Sequence, residues 1–111
     1  MAAGTVASDY ERAIRVFFHD CEPSVASRAA SRLRPQATTP MLEITPLTAW
    51  PRVPATYVLG RHDRILNPDW SRRAVPRRLG VVPAELDCGH SPFLACPDQL
   101  VEVLCAASAV P

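Results

Sequence analysis

"VPATYVLGRHD", Val53 to Asp63, is the stretch on which the fold turns. Thr56, Tyr57, Val58 and Leu59 form an unbroken run of β-formers, entered through Pro54 and closed by Gly60. The lack of polar alternation predicts a strand covered on both faces, as in a parallel sheet. Downstream, "NPDWSRRAVPRRLG" offers Asn67 as a cap, Pro68 in the first turn and Gly80 as a stop. A helix is expected there, kinked or shortened by Pro76. "VVPAELDC" then reads as a second strand and "GHSPFLAC" as a loop. "PDQLVEVLCAASA" reads as a helix with Leu100, Val103 and Leu104 facing inward. Strand, helix, strand, helix is the pattern of a crossover unit in an α/β sheet.

Working upstream, "DYERAIRVFFHDC" places Tyr10, Ile14, Phe17 and Phe18 at helical spacing with Glu11, Arg12 and Arg15 on the other side. A second helix follows, preceded by Asp20 or Cys21, with Pro23 in its first turn and Pro35 beyond its end. Its stripe of Val25, Ala29, Ala30 and Leu33 is made mostly of small residues suited to close packing. Between Pro35 and Pro54 the prolines at 40, 46 and 51 break any periodicity, leaving a long connection with one short ordered piece around Met41 to Leu47. Residues 1–8 are small and nondescript and read as a linker or disordered.

With 111 residues the chain supports one small domain or a portion of a larger one. Hydrophobic residues are 48% and charged residues 21%, the balance of a globular protein rather than a disordered tail. Net charge is +1, which gives no electrostatic case for nucleic acid or an anionic membrane. Every basic residue is arginine, a bias that fits a GC-rich bacterial genome. Arg72-Arg73 and Arg77-Arg78 read as a solvated helix face rather than a phosphate site, because acidic residues are interspersed and no aromatic platform accompanies them. The four cysteines come without a secretory leader pattern, so free thiols in a reducing cytoplasm are expected. No apolar run reaches the roughly 18–20 residues of a membrane span.

In a parallel sheet, reactive groups gather at the carboxyl ends of the strands. Asp63 lies just past the end of the first predicted strand and His90 just past the end of the second. If the strands are neighbours, about 4.8 Å apart, both loops emerge on one edge and an Asp–His hydrogen bond is easily made. Such a pair is the orienting half of a catalytic triad, in which the carboxylate fixes the imidazole tautomer. Each residue taken alone is more commonly a turn or capping residue, and it is the joint placement that points to chemistry.

"YVLGRHDRILNPDW" followed by "AELDCGHSPFLACPDQLVEVL" resembles the C-terminal part of α/β-hydrolases, in particular the esterase, methylesterase and hydroxynitrile-lyase-like branch. The matching positions are Gly60 to Asp63 for the acid loop, and Gly89, His90, Pro92 and Pro97 for the histidine loop. The resemblance implies an α/β fold with 9–53 as a helical cap and 54–111 as the last two parallel strands and helices of the core. It implies His90 as general base, Asp63 as its orienting acid, and Phe17, Phe18 and Trp50 as residues shaping an apolar substrate pocket. His62 and Asp69 are near in sequence, but the family pattern singles out Asp63, and Asp69 suits the first turn of a helix. A small ester-like molecule is the implied substrate, with no cofactor and no metal.

The family's serine stands in a G-x-S-x-G elbow. None of Ser8, Ser24, Ser27, Ser31, Ser71, Ser91 or Ser108 is so placed. The sequence therefore reads as beginning after the elbow, inactive alone, with an N-terminal half as its candidate partner. The alternatives are a non-catalytic remnant that binds a partner, and a metal module drawing four zinc ligands from Cys88, His90 and Cys96 with His19 and Cys21 as a further cluster. The second suffers from the lack of any paired C-x-x-C spacing.

Overall fold

The computed structural model describes residues 10–109; the linker assigned to 1–8 lies outside the described residues. Two parallel strands, β1 (Val58–Gly60) and β2 (Ala84–Leu86), lie side by side with Val58 opposite Ala84, Leu59 opposite Glu85 and Gly60 opposite Leu86. The ladder continues past the strands. Arg61 N–H donates to the Leu86 carbonyl at 2.9 Å and His62 N–H to that of Cys88 at 3.0 Å. The two following loops are thereby zipped together at the carboxyl edge. Leu59 and Leu86 are buried, as the unbroken apolar run requires.

The crossover between the strands is helix α4 (Pro68–Leu79). Its start is set by Asn67, whose side-chain oxygen accepts from Trp70 N–H at 3.0 Å, and its end by Gly80, whose φ of 70° is left-handed. The expectation that Pro76 shortens the helix is corrected: the chain stays helical to Leu79. Gly80 N–H closes the last turn on the Pro76 carbonyl at 3.0 Å, and Val75, beside the proline, is buried against the sheet side. Tertiary packing of that face outweighs the lost amide donor. On the outer side Arg72 reaches Glu85 of β2 at 2.6 Å and Asp69 of its own helix at 2.7 Å. The guanidinium holds the Glu85 carboxyl below its usual range.

After β2 a single turn, α5 (Pro92–Ala95), leads into α6 (Pro97–Ser108). Leu100 and Val103 of α6 are half-buried, but Leu104 is 54% exposed, so its inward assignment is corrected. The covered side of that turn carries Val103 and Ala107, and Leu104 lies at its edge.

Helices α1 (Tyr10–Phe17) and α2 (Pro23–Ser31) pack on each other through a second core of Ala13, Phe18, Ala26 and Ala30, joined by Leu94 of α5. Burying Phe18 contributes about 2–3 kcal/mol. Tyr10 Oη donates to Ser27 Oγ across the pair at 2.7 Å. The helix α2 stripe holds at Ala29 and Ala30 but not at Leu33. Ala26 and Ala30 make the contact, while Leu33 lies past the helix end and is 42% exposed. Its cap position is Glu22, with Cys21 and Asp20 preceding it in the turn. The ordered piece of the long connection is one turn, α3 (Thr39–Leu42), slightly earlier than expected. The segment after it carries exposed apolar side chains, Ile44 at 95% among them. No described helix is long and apolar enough to cross a membrane.

Candidate active site

The loop after β1 turns sharply, with Asp63 N–H bonded to the Gly60 carbonyl at 3.2 Å. The Asp63 side chain then folds over its own backbone. Its Oδ1 accepts from Ile65 N–H at 2.7 Å and Leu66 N–H at 3.0 Å, an Asx turn that fixes the carboxylate before any partner arrives. The loop after β2 delivers His90. Its Nδ1 lies 2.9 Å from Asp63 Oδ2 and 3.0 Å from Oδ1, so Nδ1–H donates to the carboxylate and leaves Nε2 as the free ring nitrogen. Asp63 is largely shielded and His90 about two-thirds so, with side-chain exposures of 12% and 30%. The ring of Phe17 lies against the imidazole, centroids 5.5 Å apart and tilted by 58°.

The close fit of the two loops depends on Gly60. A Cβ there would overlap the Gly89 carbonyl oxygen and lie 2.8 Å from that of Cys88. Gly89 has an ordinary negative-side backbone, and its lack of a side chain serves space rather than torsion. A Cβ at 89 would stand 2.7 Å from His19 Nε2 and 2.8 Å from Asp20 Oδ1. His62, adjacent to Asp63, pairs separately with Asp87, Nε2–H donating to Oδ1 at 2.6 Å, on the exposed side.

The three predicted pocket aromatics occupy different places. Phe17 adjoins His90, Phe18 is buried in the α1–α2 core, and Trp50 lines a separate cavity of about 700 Å³ with Trp70, Tyr57 and Leu79. A cavity of about 340 Å³ opens beside the pair itself, lined by Asp63 and His90 together with Leu59, Leu66, Phe93 and Leu100. Phe93 and Leu100 could have been found from sequence, since both follow His90 on helices that begin at its loop.

Cys88, directly before Gly89, is 1% exposed. Burial, then a hydrogen bond with Cys96, pushes its thiol up to about 12. All four cysteines are unpaired. At pH 8 the exposed Cys105 should therefore react with a maleimide at a solvent-like rate, and Cys88 at least about tenfold slower until the chain is unfolded. Mass mapping of the labelled peptides checks this, and equal rates would contradict the buried placement. Among the described residues no group of three or more His, Cys, Asp or Glu side chains is arranged to hold a metal ion, so the nominated Cys–His metal module does not assemble.

Residues 2–103 match the profile described as "Alpha/beta hydrolase family". The chain is also similar to "Alpha/beta hydrolase nvfD" of Aspergillus novofumigatus (strain IBT 16806), 29% identical over 97 residues, covering 86% of this chain. The aligned stretch spans only 39% of that relative's length. With parallel strands, a crossover helix and an Asp and His meeting at the carboxyl edge, this chain belongs to the alpha/beta hydrolase family.

Proposed function

We propose that Asp63 and His90 are the acid and base of a Ser-His-Asp triad that hydrolyses a small carboxylic ester, in the manner of the esterase and methylesterase branch. The serine is contributed by the remainder of the fold, and the 111 residues alone do not turn over ester. The observation that carries this reading is the two-oxygen contact of Asp63 with His90 Nδ1, at 2.9 and 3.0 Å. It leaves Nε2 unprotonated and able to take the proton of an attacking hydroxyl, then return it to the departing alcohol. Asp63 orients the ring and stabilises the imidazolium formed between those steps.

Residues 9–53 serve as a helical cap and 54–111 as the core portion. Support for the cap comes from Phe17, which presents an apolar ring beside His90. The cavity of Leu59, Leu66, Phe93 and Leu100 suits an apolar acyl or alcohol group. Four unpaired thiols support a reducing, cytoplasmic setting.

The test uses a chromogenic short-chain ester. The chain alone should give no turnover above buffer. Mixed with a polypeptide carrying the elbow and the preceding strands of a relative, it should give turnover that His90→Ala removes. No gain over either part alone would count against the triad and favour a binding role.

A further inference from the structure

The turn between α1 and α2 does more than connect two helices. Together with the last turn of α1 it makes four contacts with the two loops of the candidate active site. Arg64 Nη1–H donates to the Arg15 carbonyl at 3.0 Å, and Ser91 Oγ–H to the Phe17 carbonyl at 2.8 Å. His19 Nε2–H donates to the His62 carbonyl at 2.9 Å, and Gly89 N–H to Asp20 Oδ2 at 2.6 Å. Gly89 is thus bonded to this turn and Ser91 to the end of α1, and His90 is bracketed between them. The Gly89–Asp20 bond ends on a side-chain carboxyl oxygen and is the shortest of the four.

From this geometry we infer that Asp20 is a positioning residue for His90: its carboxylate holds the Gly89 amide and so sets the imidazole at bonding distance from Asp63. Asp20 acts on the imidazole through the Gly89 backbone amide. The glycine before the histidine follows from the same arrangement. Any side chain at 89 would meet Asp20 Oδ1 and His19 Nε2 at under 3 Å and displace the clamp. The bond is long-range, 69 residues apart in sequence, so a turn far upstream holds the residue directly before His90. The catalytic meaning of this placement rests on the triad reading, while the placement itself does not.

The full chain, labelled with ¹⁵N, provides the test. In the parent, the Nδ1–H proton of His90 should give a downfield resonance from its bond to Asp63. In Asp20→Ala that resonance should broaden or vanish, and Gly89 amide exchange should accelerate by about tenfold or more. In Asp20→Asn, whose side-chain oxygen can still accept, the resonance should return. An Asp20→Ala variant with the parent resonance and the parent exchange rate would overturn the inference. If Asp20→Ala loses its circular dichroism, Asp20→Asn decides: a retained resonance with Gly89 exchange several-fold faster supports the clamp, and unchanged exchange overturns it. An absence of ester turnover in the mixed assembly would remove the triad reading and leave these spectra as they are.

Discussion

Asp63→Asn should lower ester turnover of the complete assembly by about 10⁴-fold while leaving the fold in place. The argument rests on which way the new amide must face. Ile65 N–H and Leu66 N–H both point at Oδ1, so the asparagine oxygen stays with them and its NH₂ group occupies the place of Oδ2. That group lies against His90 Nδ1, where a donor has replaced an acceptor. The remaining oxygen still lies 3.0 Å from Nδ1, but the nearer NH₂ can donate only to an unprotonated Nδ1, which shifts the imidazole toward the tautomer protonated on Nε2, the nitrogen that should accept from a serine. The ¹⁵N shifts of the His90 ring report the tautomer in the chain by itself, and turnover reports its consequence. A variant that keeps the Nδ1–H tautomer and turns over within about tenfold of the parent would refute the argument.

Gly60→Ala should destabilise the chain by about 3 kcal/mol or more, because the new methyl meets backbone with no side chain able to swing away. The atoms in its path are the carbonyl oxygens of Cys88 and Gly89. Relief requires the histidine loop to lift from the acid loop, which breaks the His62–Cys88 ladder bond and separates His90 from Asp63. Gly80→Ala provides the contrast. Nothing lies within 4 Å of a Cβ there, and its cost comes from the left-handed backbone alone, about 1–2 kcal/mol. Urea unfolding of both variants measures the two costs, and the His90 resonance should be lost only in Gly60→Ala. Equal destabilisation with an intact resonance in both would contradict the steric account.

The strands, the crossover helix and the meeting of Asp63 with His90 were legible because their signals are local. The apolar run at 56–59 marks β1, Asn67 and Gly80 mark the two ends of α4, and Asp63 and His90 each follow a strand by a few residues. The features that escaped depend on partners distant in sequence. Pro76 reads as a breaker until its neighbour Val75 is seen buried within the same helix. Asp20 reads as a cap until Gly89 arrives from the far side of the chain. His19-Asp20, a polar pair between two apolar helices, was the one sequence sign of that second role. Trp50, grouped with Phe17 and Phe18 by the family resemblance, lines a cavity with Trp70 that neither phenylalanine lines.

The long connection from α2 to β1 bears on all of this as a tether. Its short-range bonds, such as Leu47 N–H to Thr45 Oγ1 and Val53 N–H to the Pro51 carbonyl, knit the segment only to itself. Its main service to the α1–α2 turn is to keep it near the sheet at an effective concentration on the order of millimolar. Cleaved at the exposed residues around Ile44, the same four hydrogen bonds would have to hold two separate molecules together at their bulk concentration, about a thousandfold lower in a micromolar solution. The alignment of His90 is therefore tied to the continuity of a stretch of chain that does not touch it.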